Sequence, residues 1–188
     1  MVKYLRSKIL LCITFCFLVA VSAGCSTSDS IPAEPPAITV KAGKITIDWI
    51  VGKNMWNGST IEHIADFPYI MLHTTFDDLP YIKNDESIII HFDNVIPDSI
   101  ILTELILKED GSRKYNISDK DYNINIGKNN IASFTIEANY ATALSSYSGD
   151  YIEGNTIKGY RMVCTWGGNE CEYVFIIRGD AAITMNRD

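Results

Sequence analysis

Cys164 and Cys171 bracket the stretch CTWGGNEC, with six residues between them and a Gly-Gly pair at the centre. Two thiols at this spacing suit three kinds of chemistry: a disulfide across a β-hairpin, a metal site or a redox pair. Structural zinc takes four ligands, usually in short Cys or His pairs, whereas His63, His73 and His91 stand singly. A redox pair would read Cys-x-x-Cys at the start of a helix, and that spacing is absent here. The expectation is therefore a Cys164–Cys171 disulfide, with no metal and no cofactor. Closing so small a loop would stabilise the fold by roughly 2.5 kcal/mol.

Other polar groups carry weaker signals. Asp119-x-Asp121-x-Asn123-x-Asn125 has the spacing of calcium ligands. An EF-hand loop, however, needs Gly at its sixth position and Glu at its twelfth, where this chain has Ile124 and Asn130. Arg178-Gly179-Asp180 lies where a strand should end and turn. Asn57-Gly58-Ser59 and Asn116-Ile117-Ser118 are glycosylation sequons. Asp77-Asp78, before Leu79-Pro80, reads as a turn rather than an acid–base pair. No Gly-x-Ser-x-Gly elbow marks a nucleophile. The stretch GKNMWNGS, residues 52–59, is the best binding-loop candidate, because Trp56 sits among amides and turn formers. In the alternative, Trp56 folds back and plugs the end of the domain.

These residues need a scaffold, and from Ile38 onward the dominant period is two. KITIDWI, SIIIHF, SIILTELILK, DYNINI, IASFTIEA, KGYRMVCTW and CEYVFIIR all read as strands. Asp110-Gly111 and the run from Gly127 to Asn130 supply turns. Pairing Cys164 with Cys171 also pairs Met162 with Tyr173 and Tyr160 with Phe175, which makes one face wholly apolar. The hairpin loop is Gly167-Gly168 alone or the four residues from Trp166 to Asn169. The second is preferred, since it brings the cysteines to a close, non-hydrogen-bonded position. A short helix is expected after the capping box Ser59-Thr60-Ile61-Glu62, ending at Pro68, and residues 141–146 suit a single turn. The fold expected is all-β: an immunoglobulin-like antiparallel β-sandwich of eight or nine strands.

The N-terminus differs from the rest. MVKYLRSK carries Lys3, Arg6 and Lys8 and no acid, and the thirteen residues Ile9 to Val21 carry no charge. That is the pattern of an export signal, and the apolar run is short for a membrane-spanning helix. The next residues, Ser22-Ala23-Gly24-Cys25, resemble the lipobox of bacterial lipoproteins, with Ser22 where Leu is commoner. The resemblance covers residues 1–25. It implies cleavage before Cys25 and a diacylglycerol thioether on its sulphur; a plain cleaved signal peptide is the alternative. The organisation expected is a signal peptide over 1–24, a lipidated Cys25 with a flexible Ser/Pro linker over 25–37, and a single domain over 38–188.

Loss of the leader takes 16 basic residues to 13 against 23 acidic ones, moving net charge from -7 to -10. Such a balance opposes nucleic-acid binding. Mean hydropathy of +0.05 excludes a polytopic membrane protein. The function expected is a lipid-anchored, extracytoplasmic, non-enzymatic binding or scaffolding module that contacts an envelope protein or glycan. The rival is a small envelope hydrolase using one or more of His63, His73 and His91.

Overall fold

The computed structural model describes residues 31–62 and 66–182, so Cys25, His63 and most of the leader and linker lie outside the described residues. Among the described residues eleven strands follow in order: β1 (Ile38–Ala42), β2 (Ile45–Ile47), β3 (Trp49–Trp56), β4 (Ser59–Glu62), β5 (Ser87–Phe92), β6 (Ser99–Leu107), β7 (Lys120–Tyr122), β8 (Asn125–Ile126), β9 (Ile131–Thr135), β10 (Thr156–Trp166) and β11 (Asn169–Gly179). They form two antiparallel sheets, ordered β2-β1-β5-β9-β8 and β4-β3-β11-β10-β6-β7. The inner faces meet in one core. Val40, Ile88, Ile90, Phe92 and Phe134 from the smaller sheet pack with Leu102, Tyr160, Met162, Trp166, Tyr173 and Phe175 from the larger. Period-two alternation produces this directly, since β5 reads exposed-buried from Ser87 to Phe92.

The chain is thus an all-β sandwich, with more strands than expected because two of the alternating runs change sheets partway. KITIDWI breaks at Asp48, placing β2 in the smaller sheet and β3 in the larger. DYNINI divides likewise: Tyr122 is buried in β7, while Ile126 in β8 is exposed. In the constant-type immunoglobulin sheet the last strand lies at an edge. Here β11 lies inside, between β3 and β10.

The helix is also placed differently. Ser59–Glu62 is strand β4, because Asn57 (φ 51°) and Gly58 (φ 77°) turn the chain back in a two-residue hairpin that pairs Trp56 with Ser59. Helix α1 (Phe67–His73) begins where the capping-box helix was expected to stop. The Asp66 carboxylate accepts the Phe67 N–H at 2.7 Å, and Pro68 sits in the first turn, where its missing N–H costs nothing. α1 covers the outer face of the larger sheet, and Phe67 joins Leu79, Leu105, Leu107, Ile157, Val174 and Ile176 in a second apolar cluster. Gly159 makes the room: a Cβ there would stand 2.7 Å from the Phe67 ring.

The β10–β11 register is the one read from sequence: Cys164 faces Cys171, Met162 faces Tyr173 and Tyr160 faces Phe175. The loop is the shorter of the two options. Trp166 pairs with Asn169, and Gly167 takes φ 59°, as the first position of a tight hairpin turn requires. Counting back from that closing pair puts the cysteines at a hydrogen-bonded position, where opposed side chains stand farther apart. The disulfide expected at Cys164–Cys171 is accordingly corrected: both sulphurs are free, buried thiols.

Candidate functional site

Burial changes what those thiols can do. It pushes Cys171 up to about 11 and Cys164 higher still, with the neighbouring sulphur adding to the rise at Cys164. Both are therefore protonated and unreactive at neutral pH. In native protein they should resist a thiol reagent, and both should react on denaturation without reductant. The same raised values make folding prefer the neutral thiols. Stability should be intact below about pH 9, where unfolded thiols begin to ionise, and fall as pH climbs through 11. Denaturant titrations at pH 8 and pH 11 check the sign.

The other residues singled out in the sequence are dispersed. His91 points outward from β5, with Nδ1 4.0 Å from Asp93 Oδ1. His73 ends α1 with its ring 4.7 Å from that of Tyr69. The two histidines thus lie on opposite outer faces of the sandwich. His73 does line a cleft of about 140 Å³ together with Asp48, Trp49, Ile50, Tyr69 and Thr74. Asp119 is held by Arg113, Asp121 projects from β7, and Asn125 belongs to the other sheet. Among the described residues no group of three His, Cys, Asp or Glu gathers as a metal site. Asp77 and Asp78 form a short 3-10 turn.

Arg178, Gly179 and Asp180 are structural rather than displayed. Arg178 Nε donates to the Leu79 carbonyl at 3.1 Å. Buried Asp180 accepts from the Tyr81 hydroxyl at 2.7 Å and from the Gly154 N–H at 3.0 Å. A Cβ on Gly179 would stand 3.0 Å from Cδ and Cε of Lys158.

Sequence reasoning missed the polar network beside that lysine. Glu104 and Lys158 project into the sandwich and are fully buried. Glu104 accepts from Tyr160 at 2.6 Å, Tyr122 at 2.7 Å and Asn139 at 2.8 Å. Lys158 Nζ donates to Asn84 Oδ1 at 2.9 Å and to the Glu137 carbonyl at 3.4 Å. Strand phase was the available signal: one step back along the apolar face Cys164, Met162, Tyr160 is Lys158, and Glu104 lies between Leu102 and Ile106.

Trp56 behaves as a plug. It is 6% exposed, its ring lies 5.3 Å from Trp166, and its Nε1 donates to the Pro32 carbonyl at 3.1 Å. Asn57 Nδ2 donates to the Ala33 carbonyl at 3.0 Å, and the Tyr173 hydroxyl donates to the Pro36 carbonyl at 2.6 Å. Residues 32–36, expected to be part of a loose linker, are thus strapped across the open side of the sandwich.

Between this strap and the inner face of β3 and β4 runs a groove of about 390 Å³, lined by Ala33, Glu34, Pro35, Val51, Asn54, Trp56, Asn57 and Ile61. Asn54 is 5% exposed, and its Oδ1 has no hydrogen-bond partner among the described residues. A buried acceptor left unpaired costs about 1–3 kcal/mol, so this oxygen marks the groove as a place where a donor is wanted. Beside it, β4 is the outer strand of its sheet, paired among the described residues only with β3. Comparison with protein-family models, curated proteins and solved structures finds no match for this chain.

Proposed function

We propose that this chain is an exported lipoprotein, anchored through Cys25 on the extracytoplasmic side of a cell membrane, whose sandwich is a non-enzymatic module binding an extended peptide segment of an envelope protein. The leader and the small residues before Cys25 support the anchoring. The unpaired Asn54 Oδ1 in the groove carries the binding reading. An incoming backbone N–H would satisfy that oxygen, and the unpaired edge of β4 offers further main-chain partners, as in strand addition. Glycan binding fits less well, because sugars stack on an open aromatic face and the Trp56 ring is enclosed. The hydrolase alternative rests on the His73–Asp48 cleft; no hydrogen bond links the two side chains there, and no buried nucleophile accompanies them.

The test has two arms. Intact mass of the membrane-extracted protein should show a chain beginning at a lipid-modified Cys25, and Cys25→Ser should release it from membranes. A full-length chain in the cytosol refutes the anchoring. A photo-crosslinker at Ile61 should give a discrete adduct in cells that Asn54→Leu abolishes, whereas one at Leu72, exposed on α1, should give none. Equal adducts from both positions, or none from Ile61, refute the groove.

A further inference from the structure

Lys158 is an amine without water. Its side chain is fully buried in β10, and its ammonium nitrogen stands 2.9 Å from the side-chain oxygen of Asn84. The carbon bearing that oxygen is one bond, about 1.2 Å, further on. Asn84 is itself held in place. Its Nδ2 donates to the Ala181 carbonyl at 3.3 Å, and its backbone N–H faces Asp180 Oδ2 at 3.4 Å. The amide thus turns its oxygen to the lysine and its nitrogen away. Burial lowers the proton affinity of Lys158, although the Glu104 and Asp180 charges oppose the shift, so the neutral, nucleophilic form is more accessible than in water. Two reactants fixed in contact react as if at very high concentration.

We propose that Lys158 and Asn84 join in a spontaneous amide cross-link between Nζ and Cγ, fastening the larger sheet to the chain that enters β5 of the smaller one. The Nζ–Cγ bond forms and the Cγ–Nδ2 bond breaks. Nζ gives up two of its three protons, and both end on the departing nitrogen, which leaves as ammonium. Charge and atoms balance without an oxidant, a metal or a co-reactant. Asn84 is only half-buried, which gives the ammonium a way out, while the enclosed lysine side excludes the water that would otherwise compete.

Mass spectrometry of the purified full chain decides it. The polypeptide should weigh about 17 Da less than its processed sequence predicts, the mass of one ammonia. A digest should contain a branched peptide joining the Lys158 and Asn84 segments. Lys158→Met and Asn84→Ala should each restore the full mass. An Asn-Gly turn such as Asn57-Gly58 can also shed ammonia by cyclising on itself, so the branched peptide is the discriminating signal. Unchanged mass, or ammonia loss with both segments recovered as separate peptides, overturns the proposal. The wild-type digest gives that answer even if neither variant folds.

Discussion

Glu104→Ala is expected to lower the unfolding midpoint by about 10 °C. The carboxylate is the shared acceptor of the Tyr122 and Tyr160 hydroxyls and the Asn139 amide, all at 2.6–2.8 Å and all out of water. It also supplies negative charge that acts on buried Lys158. Removing it strands three buried donors together, and each donor left without its acceptor costs about 1–3 kcal/mol. For a domain of this size each kcal/mol moves the midpoint by about 2–4 °C. Glu104→Gln should cost less, since an amide oxygen still accepts two of the donors. Tyr160→Phe should cost less again, about 1.5–3 kcal/mol for one hydrogen bond to a charged acceptor. Thermal melts followed by circular dichroism give the ranking, and an Ala variant as stable as wild type would show that the network holds nothing.

Trp166→Ala should be comparably severe for a different reason. Trp166 is 2% exposed, packs edge-on against Trp56 and Phe92, and donates its Nε1–H to the Val95 carbonyl at 3.0 Å. Truncating a buried Trp leaves a cavity worth about 3–5 kcal/mol. The cavity would open beneath Trp56, whose indole holds Pro32. Urea titration should therefore show the loss of stability, and limited proteolysis should show faster cleavage between residues 31 and 37. Tyr173→Phe, which removes the hydrogen bond to Pro36 and leaves the ring in place, should reproduce the second effect with little of the first.

The central hairpin was legible in the sequence because two long runs share one turn. With Gly167-Gly168 as the pivot, a shift of one residue would have put either Arg161 or Glu172 into the core, so only one register was tolerable. The loop length was misjudged by assuming that two facing cysteines must be bonded. Sheet membership was not legible: Asp48 and Asn123 lie within runs that alternate as if straight, and alternation says nothing about where a strand crosses to the other layer. The helix was displaced because Pro68 was read as a stop, although proline suits the first turn as well as the end. The groove was half visible. Trp56 and its asparagines marked the loop on one side of the groove, but the opposite wall comes from Pro-rich residues whose composition suggests no partner. They dock through backbone carbonyls, which every residue type carries.

That docking sets how the molecule would answer a mechanical load. Tension applied through the chain ahead of Pro32 meets the bonds to Trp56, Asn57 and Tyr173 in succession, so they yield singly, like a peeled tape. The long ladder between β10 and β11 is paired over its whole length and would yield far later. A tug would widen the groove before it threatened the sandwich, so the width of that groove answers to force.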